Sequence, residues 1–193
     1  MRDSLRMIAF VVILGMLLSA IIFVVNARTA PRIARNEELT IKRTVLDAHL
    51  ITYRESDVED VFNQNISVVK KGGKTFYVLK NGDIAFEFNG SGLWGPIHGV
   101  ISLGPDLRTI RRIVIIHQEE TAGLGGRLAE RSYLANFDSK QFVPTIEIVN
   151  RRKAEKVNEV DGISGATMTS KAFEKIMNEQ VGEYAAAYGG GGT

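Results

Sequence analysis

Thr75-Phe76-Tyr77-Val78-Leu79-Lys80, Asn81-Gly82, Asp83-Ile84-Ala85-Phe86-Glu87-Phe88 is the stretch from which the fold is read. Two runs rich in aromatic and β-branched residues flank an Asn-Gly pair. That pair tolerates the positive φ of a two-residue type I′ turn, so the segment predicts a β-hairpin. Lys70, Lys71 and Lys74 just before it read as a solvated hairpin edge.

Beyond the hairpin, Gly90-Ser91-Gly92-Leu93-Trp94-Gly95-Pro96-Ile97-His98-Gly99 reads as a long glycine-punctuated loop. Residues 100–103 make a short strand, and Gly104-Pro105-Asp106 turns the chain. Residues 113–116 are apolar and β-branched, which predicts a central strand ending near His117. A second glycine-rich loop, 117–127, precedes a helix over 128–136 and a strand over 145–149. From Ser170 to about Tyr184, the residues Phe173, Ile176, Met177, Val181 and Tyr184 recur at helical spacing, with Thr169 or Ser170 as cap. Before the hairpin, 56–63 predicts a short helix with Val58, Val61 and Phe62 inward. Asn36 caps a helix predicted to run to Tyr53, with Leu39, Leu46, Leu50 and Tyr53 on one stripe. The fold class expected is α+β, one domain with a mostly antiparallel sheet and flanking helices.

Residues 7–25 hold no charge and are long enough to cross a bilayer as a helix. A cleaved signal peptide with Val25-Asn26-Ala27 as its processing triplet is the rival, but signal cores are usually only about 7–15 residues long. A retained single-span anchor is therefore expected. The organisation reads as an N-terminal segment (1–6), a transmembrane helix (7–25), a linker broken by Pro31 (26–35), the domain (36–184) and a low-complexity, disordered tail (185–193). Arg2 and Arg6 lie before the span; Arg28, Arg32, Arg35, Lys42 and Arg43 lie after it. A simple positive-inside count would keep the domain in the cytoplasm, yet long domains translocate largely regardless of charge.

There is no Cys, which excludes disulfides, iron–sulfur ligation and a thiol nucleophile. Three His, at 49, 98 and 117, match no compact zinc motif, and a net charge of +2 implies no nucleic-acid surface. His117, Glu119 and Glu120 read as a solvated rim rather than a metal site. Neither a P-loop nor a strand–G-x-G-x-x-G–helix is present. The chemistry lies in Asp161-Gly162-Ile163-Ser164-Gly165-Ala166-Thr167-Met168-Thr169-Ser170, a small-residue turn running into a helix. A helix N-terminus offers free N–H groups and positive dipole to an anion, typically phosphate.

Asp161-x-x-Ser164-Gly165-Ala166-Thr167 resembles the flavinylation motif of the FMN-binding domain family. That family includes the C subunit of the sodium-translocating NADH:quinone oxidoreductase and the G subunit of the Rnf electron-transport complex. Glu120-Thr121-x-Gly123-Leu124-Gly125 resembles the family's E-T-P-G-L-G loop, with Ala122 in place of its proline. Gly92-Leu93-Trp94-Gly95-Pro96-Ile97 is a third match. The tryptophan and the extra Gly126 look more like the quinone-reductase branch, although the chain is short for it. The resemblance implies covalent FMN on Thr167, attached by a flavin transferase that reads Asp161, Gly162, Ser164, Gly165 and Ala166. It implies flavin contacts for Leu93, Trp94, Glu120, Thr121, Gly123 and Leu124, and phosphate contacts for Thr169, Ser170 and Lys171, with no metal and no acid–base catalytic residue. Trp94 read on its own is equally a core aromatic. The implied role is a redox subunit, not catalytic alone, among other membrane subunits of an ion-translocating complex. It would be a single-pass protein of the plasma or inner membrane with its flavin domain on the extracytoplasmic side. A stand-alone flavin reductase and a non-redox anchored binding module are the alternatives from other classes.

Overall fold

The computed structural model describes residues 2–189. The chain divides into two compact units, the first reaching to Thr40 and the second starting at Ile41. Its elements are α1 (Arg2–Ala48), α2 (Val58–Asn65), β1 (Ile66–Lys71), β2 (Lys74–Leu79), β3 (Ile84–Ser91), β4 (Pro96–Leu103), β5 (Ile110–Gln118), α3 (Arg131–Leu134), β6 (Glu147–Val149), β7 (Glu159–Asp161) and α4 (Thr167–Gly189). Two 3-10 turns, Gly125–Ala129 and Ala135–Phe137, flank α3.

In the first unit, the most apolar 18-residue window of α1 has a mean hydropathy of 3.1 and is wholly unburied, so the helix is long and apolar enough to cross a membrane. The expected linker at 26–35 is helical instead, with Pro31 inside α1. Proline removes one intrahelical bond, and the Ala, Arg, Glu and Leu around it are strong helix formers that carry the helix past it.

In the second unit α1 stops five residues before the expected Tyr53. Leu50 turns to φ 60°, Ile51 N–H donates to Leu46 O at 2.9 Å and Leu50 N–H to Asp47 O at 3.1 Å. This is the hydrogen-bond pattern of a Schellman stop, here without glycine. β1 to β5 form one sheet in chain order, antiparallel throughout. The expected hairpin is present, but its turn is longer than two residues: pairing ends at Val78↔Ile84, and Leu79 N–H reaches Asp83 O at 2.9 Å. Asn81 bonds Asp83 from its side chain, which favours this wider loop. β1, not singled out in the sequence, pairs with β2 across Gly72-Gly73, both at positive φ. The supposed long loop at 90–99 is mostly strand; only 92–95 is irregular. The expected helix at 128–136 is split into α3 and its two 3-10 turns. β6 is the expected strand, shortened, and it pairs in parallel with β7 in a separate two-stranded sheet.

One face of the sheet packs on α4. Phe86 stacks on Tyr184 at 4.0 Å between centroids, and Phe76 meets Tyr184 and Tyr188 edge-on. Lys74 pairs with Glu183 at 2.7 Å and Lys71 lies over the Tyr188 ring, so two of the three presumed edge lysines hold this helix. These contacts carry α4 through Gly189, where composition alone predicted disorder; residues 190–193 lie outside the described residues. Tyr77 faces the other side of the sheet, where Phe62 of α2 meets it edge-on and His49 contacts Ser102 of β4 at 3.2 Å.

Gly90 belongs to this packing. A Cβ there would stand 2.5 Å from Ile176 Cγ1 on α4, whereas one at Gly182 would meet nothing. Gly90→Val is expected to lower the stability of the sheet domain by about 2 kcal/mol or more through overpacking, and Gly182→Ala to raise it by about 0.5–1 kcal/mol through helix propensity. Urea denaturation followed by circular dichroism checks both; an unchanged midpoint for Gly90→Val would contradict the packing.

Candidate functional site

Glu120 draws the glycine-rich segments together. It is 7% exposed, and each of its oxygens is used. Oε1 accepts Leu93 N–H at 2.7 Å and Trp94 N–H at 3.1 Å; Oε2 accepts the Thr169 hydroxyl at 2.6 Å. Gln118 Oε1 in turn accepts Glu120 N–H at 2.6 Å and fixes the carboxylate's own backbone. The glycines around it are there for space. A Cβ at Gly92 would lie 2.3 Å from Glu120 Oε1, and one at Gly125 2.6 Å from Thr169 Oγ1. Leu124 lies against Gly165, which holds φ 79°. The tips gathered in this way carry exposed apolar side chains: Leu93, Trp94, Leu124 and Met168. Trp94 is 71% exposed, which rules out the core reading. Thr121 and Gly123 form the turn itself, Thr121 O accepting Leu124 N–H and Gly126 N–H, with Gly123 at φ 74°.

α4 begins at Thr167, three residues earlier than the sequence suggested. Thr169 and Ser170 are therefore inside its first turn and buried. Their hydroxyls are committed to the protein: Thr169 to Glu120, and Ser170 to Ala166 O while accepting Ile163 N–H. Hydroxyl contact with a phosphate is thus closed to both. Thr167 is exposed, and its hydroxyl makes no hydrogen bond among the described residues. The N–H groups of a helix's first turn have no intrahelical acceptor, so Thr167 sits where an anion is best received.

Thr167 also lies where two hollows meet. One, of about 480 Å³, is lined by Arg151, Arg152 and Lys171 together with Glu147; the other, of about 280 Å³, by Arg152, Lys153 and the 161–165 turn, Asp161 included. Ser164, exposed too, lines only the second. Lys171 pairs with Glu174 at 2.9 Å, and Glu174 also accepts Ile148 N–H, tying α4 to β6. Arg151, Arg152 and Lys153 were missed in the sequence. The signal was a run of three cations ten residues before the motif, overlooked because only the parallel β6–β7 pair brings it back over Thr167. Glu159, wholly buried, holds Arg152 through two bonds of 2.6 Å. The guanidinium, with the Glu155 and Lys156 N–H groups, keeps the Glu159 carboxyl well below the usual carboxylate range. Asp161 accepts Ala154 N–H at 2.7 Å, and Gly162 leaves room for Asn150, whose Oδ1 would lie 2.0 Å from a Cβ.

His117 contacts Glu119 at 3.2 Å at the exposed rim, while Glu120 turns inward, so the three residues do not converge on one point. Glu120→Ala would strand three donors, and it is expected to cost about 2–4 kcal/mol. Urea denaturation measures the loss, and faster amide exchange at Leu93 and Trp94 would localise it. Unchanged exchange at both would refute the bridging role.

Residues 92–181 match the FMN-binding domain family model. The C subunit of the Na(+)-translocating NADH-quinone reductase of Haemophilus ducreyi is 37% identical over 96 residues, 47% of this chain and 37% of that one. The protein of the same name from Vibrio vulnificus is 29% identical over 143 residues, 69% of this chain and 53% of that one. The chain thus spans about half or less of the length of these relatives. Among solved structures, NqrC of Shewanella oneidensis superposes with a TM-score of 0.65 at 18% identity, covering 72% of this chain and 89% of that one. The C subunit of the Na(+)-translocating NADH-quinone reductase from Parabacteroides distasonis gives 0.69 at 24% identity, covering 79% and 92%. The fold is therefore the one seen in those two structures, and within it residues 92–181, just under half of the chain, match the FMN-binding domain family model.

Proposed function

We propose that the chain is a membrane-anchored electron carrier of a Na+-translocating NADH:quinone reductase, corresponding to its C subunit, with FMN bound covalently through its phosphate to Thr167. The observation that carries this reading is the allocation of hydroxyls at the start of α4. Thr169 and Ser170 are bonded and buried, whereas the Thr167 hydroxyl has no hydrogen-bond partner among the described residues and lines both hollows. The residues present suit the group. The α4 N-terminus with Arg151, Arg152, Lys153 and Lys171 would hold the phosphate, and Leu93, Trp94, Leu124 and Met168 offer apolar surface for a planar ring. Bound there, FMN would supply the electron-transfer chemistry that no side chain of this chain provides.

The chain's own part is to hold and orient. Glu120 fixes the backbone of Leu93 and Trp94 against α4, so that the apolar tips keep one arrangement relative to Thr167. A threonine hydroxyl is a weak nucleophile without a neighbouring base, and no His or Cys lies near Thr167 in the sequence. As the family resemblance implies, attachment would be the work of a separate flavin transferase. The donor and acceptor of electrons would be other membrane subunits of the complex. The Haemophilus ducreyi and Vibrio vulnificus relatives both bear the quinone-reductase name, which favours this over the Rnf alternative. The sheet domain would stand on the extracytoplasmic side, where a tether prevents loss of a cofactor that could not be replaced.

Co-expressed with a flavin transferase, the denatured chain should fluoresce as flavin on a gel, and its intact mass should rise by one FMN less one water. Thr167→Ala should abolish the fluorescence while Ser67→Ala, exposed on β1 and outside the motif, keeps it; a fluorescent Thr167→Ala band would refute the site. Orientation has a separate readout. Ser67 is exposed and the chain has no native Cys, so Ser67→Cys should react with a membrane-impermeant thiol reagent in intact cells. Labelling only after lysis would place the domain inside.

A further inference from the structure

Beyond its apolar span, α1 carries an arginine stripe. Arg28, Arg32 and Arg35 are all exposed, and at helical spacing they fall within about 60° of one another on one face. The helix runs unbroken through Pro31, so this face is continuous with the span. No acidic residue occurs from Asn26 to Asn36. Arg28 and Arg32 have no carboxylate partner among the described residues, and the first acids after them are Glu37 and Glu38. At the other end of the span, by contrast, Arg6 has Asp3 at 3.5 Å. Like charges four residues apart repel, so Arg28 and Arg32 weaken the helix unless an anion lies between them. Depth is set by the span. For a helix along the bilayer normal, Arg28 stands about 5 Å beyond Val25, Arg32 about 10 Å and Arg35 about 15 Å. The headgroup layer on each side is only about 5–8 Å deep. Side chains on a helix lean toward its N-terminus, which here is toward the bilayer, and a long arginine stem lets the guanidinium snorkel back further. Arg28 and Arg32 therefore reach the level of the lipid phosphates, and Arg35 stands outside it.

We propose that Arg28 and Arg32 form a binding site for the phosphate of an anionic phospholipid, which fixes the depth of α1 in the membrane and its rotation about its own axis. The inference rests on α1 being the membrane anchor and is independent of the flavin. A guanidinium can present two N–H donors to one phosphate, and two guanidinium groups one turn apart can close on the same headgroup. Such a contact relieves the repulsion between the two cations. Because the stripe is one-sided, the contact also selects which face of the helix meets the anionic lipid; the opposite face carries Ala30, Ile33 and Ala34. An acidic protein segment is the rival occupant. The lipid is favoured because both arginines lie at headgroup depth and the stripe beyond the span adds no large apolar side chain, the kind that the core of a protein interface needs. In the orientation proposed above, these cations stand on the side that the positive-inside bias leaves poor in Lys and Arg, so topology does not account for them.

The test uses the full chain in an uncharged detergent, titrated with phosphatidylglycerol or with phosphatidylcholine, and counts bound lipid by native mass spectrometry. Phosphatidylglycerol is expected to bind about tenfold more tightly, the size of effect that two arginines near an anionic lipid surface produce. Arg28→Ala combined with Arg32→Ala should bring the two lipids to equal affinity. Arg28→Lys combined with Arg32→Lys should keep most of the preference. Arg35→Ala, beyond headgroup depth, and Arg6→Ala, at the other end of the span, should keep all of it. Equal affinities in the wild-type chain would overturn the proposal, as would an alanine pair that retains the preference or an Arg35→Ala variant that loses it. If the wild-type chain binds both lipids alike and the alanine pair instead fails to co-purify with other membrane subunits, the face serves an acidic protein segment and the lipid reading falls. Release of the wild-type chain from membranes by alkaline carbonate would remove the anchor reading beneath the proposal, so the two failures are distinguishable.

Discussion

Glu120 is a buried carboxylate serving three donors on two other segments of the chain. Leu93 and Trp94 come from the β3–β4 connection and Thr169 from the first turn of α4. A carboxylate taken from water is tolerated only when its lone pairs are used, so this residue demands that the three segments meet and stay met. The tight glycines follow from it. Gly92 and Gly125 stand so close to the carboxylate or to Thr169 that any side chain would collide. The exposed apolar tips are a consequence as well, because residues at the outer ends of these segments have their backbone held inward and their side chains turned out.

The aromatic face between the sheet and α4 sets where that meeting happens. Phe76, Phe86 and Phe88 lie on one side of the sheet, and Phe173, Tyr184 and Tyr188 of α4 pack on them. This fixes the axis of α4 and therefore the position of its N-terminus, where the unsatisfied N–H groups gather. Helix position and loop position are thus settled by separate sets of contacts, one apolar and one polar, that agree at Thr167.

The turn from Asp161 to Thr167 has a structural task of its own. Asp161 and Gly162 seat the loop that begins at Asn150, and Glu159 fixes its guanidinium. Ile163 and Ala166 are buried in the core, which leaves Ser164, Gly165 and Thr167 outward. A sequence that reads as one linear signal is therefore partly foundation for the cationic wall beside it.

Features that depend on neighbours in sequence were legible without coordinates. The apolar span, the antiparallel β2–β3 hairpin and the small-residue turn that runs into α4 all follow from local composition and period. Boundaries were less legible. Pro31 fails to break α1 because the flanking residues favour helix, and α4 reaches Gly189 because Tyr184 and Tyr188 find partners on β2 and β3. Only the tertiary structure decided which hydroxyl is free. Thr167, Thr169 and Ser170 are chemically alike, and burial against Glu120 and Ala166 consumes the latter two. The cations at 151–153 were equally hidden, since their approach to Thr167 depends on a parallel strand pair and a buried Glu159, and such long-range pairing leaves no period in the sequence.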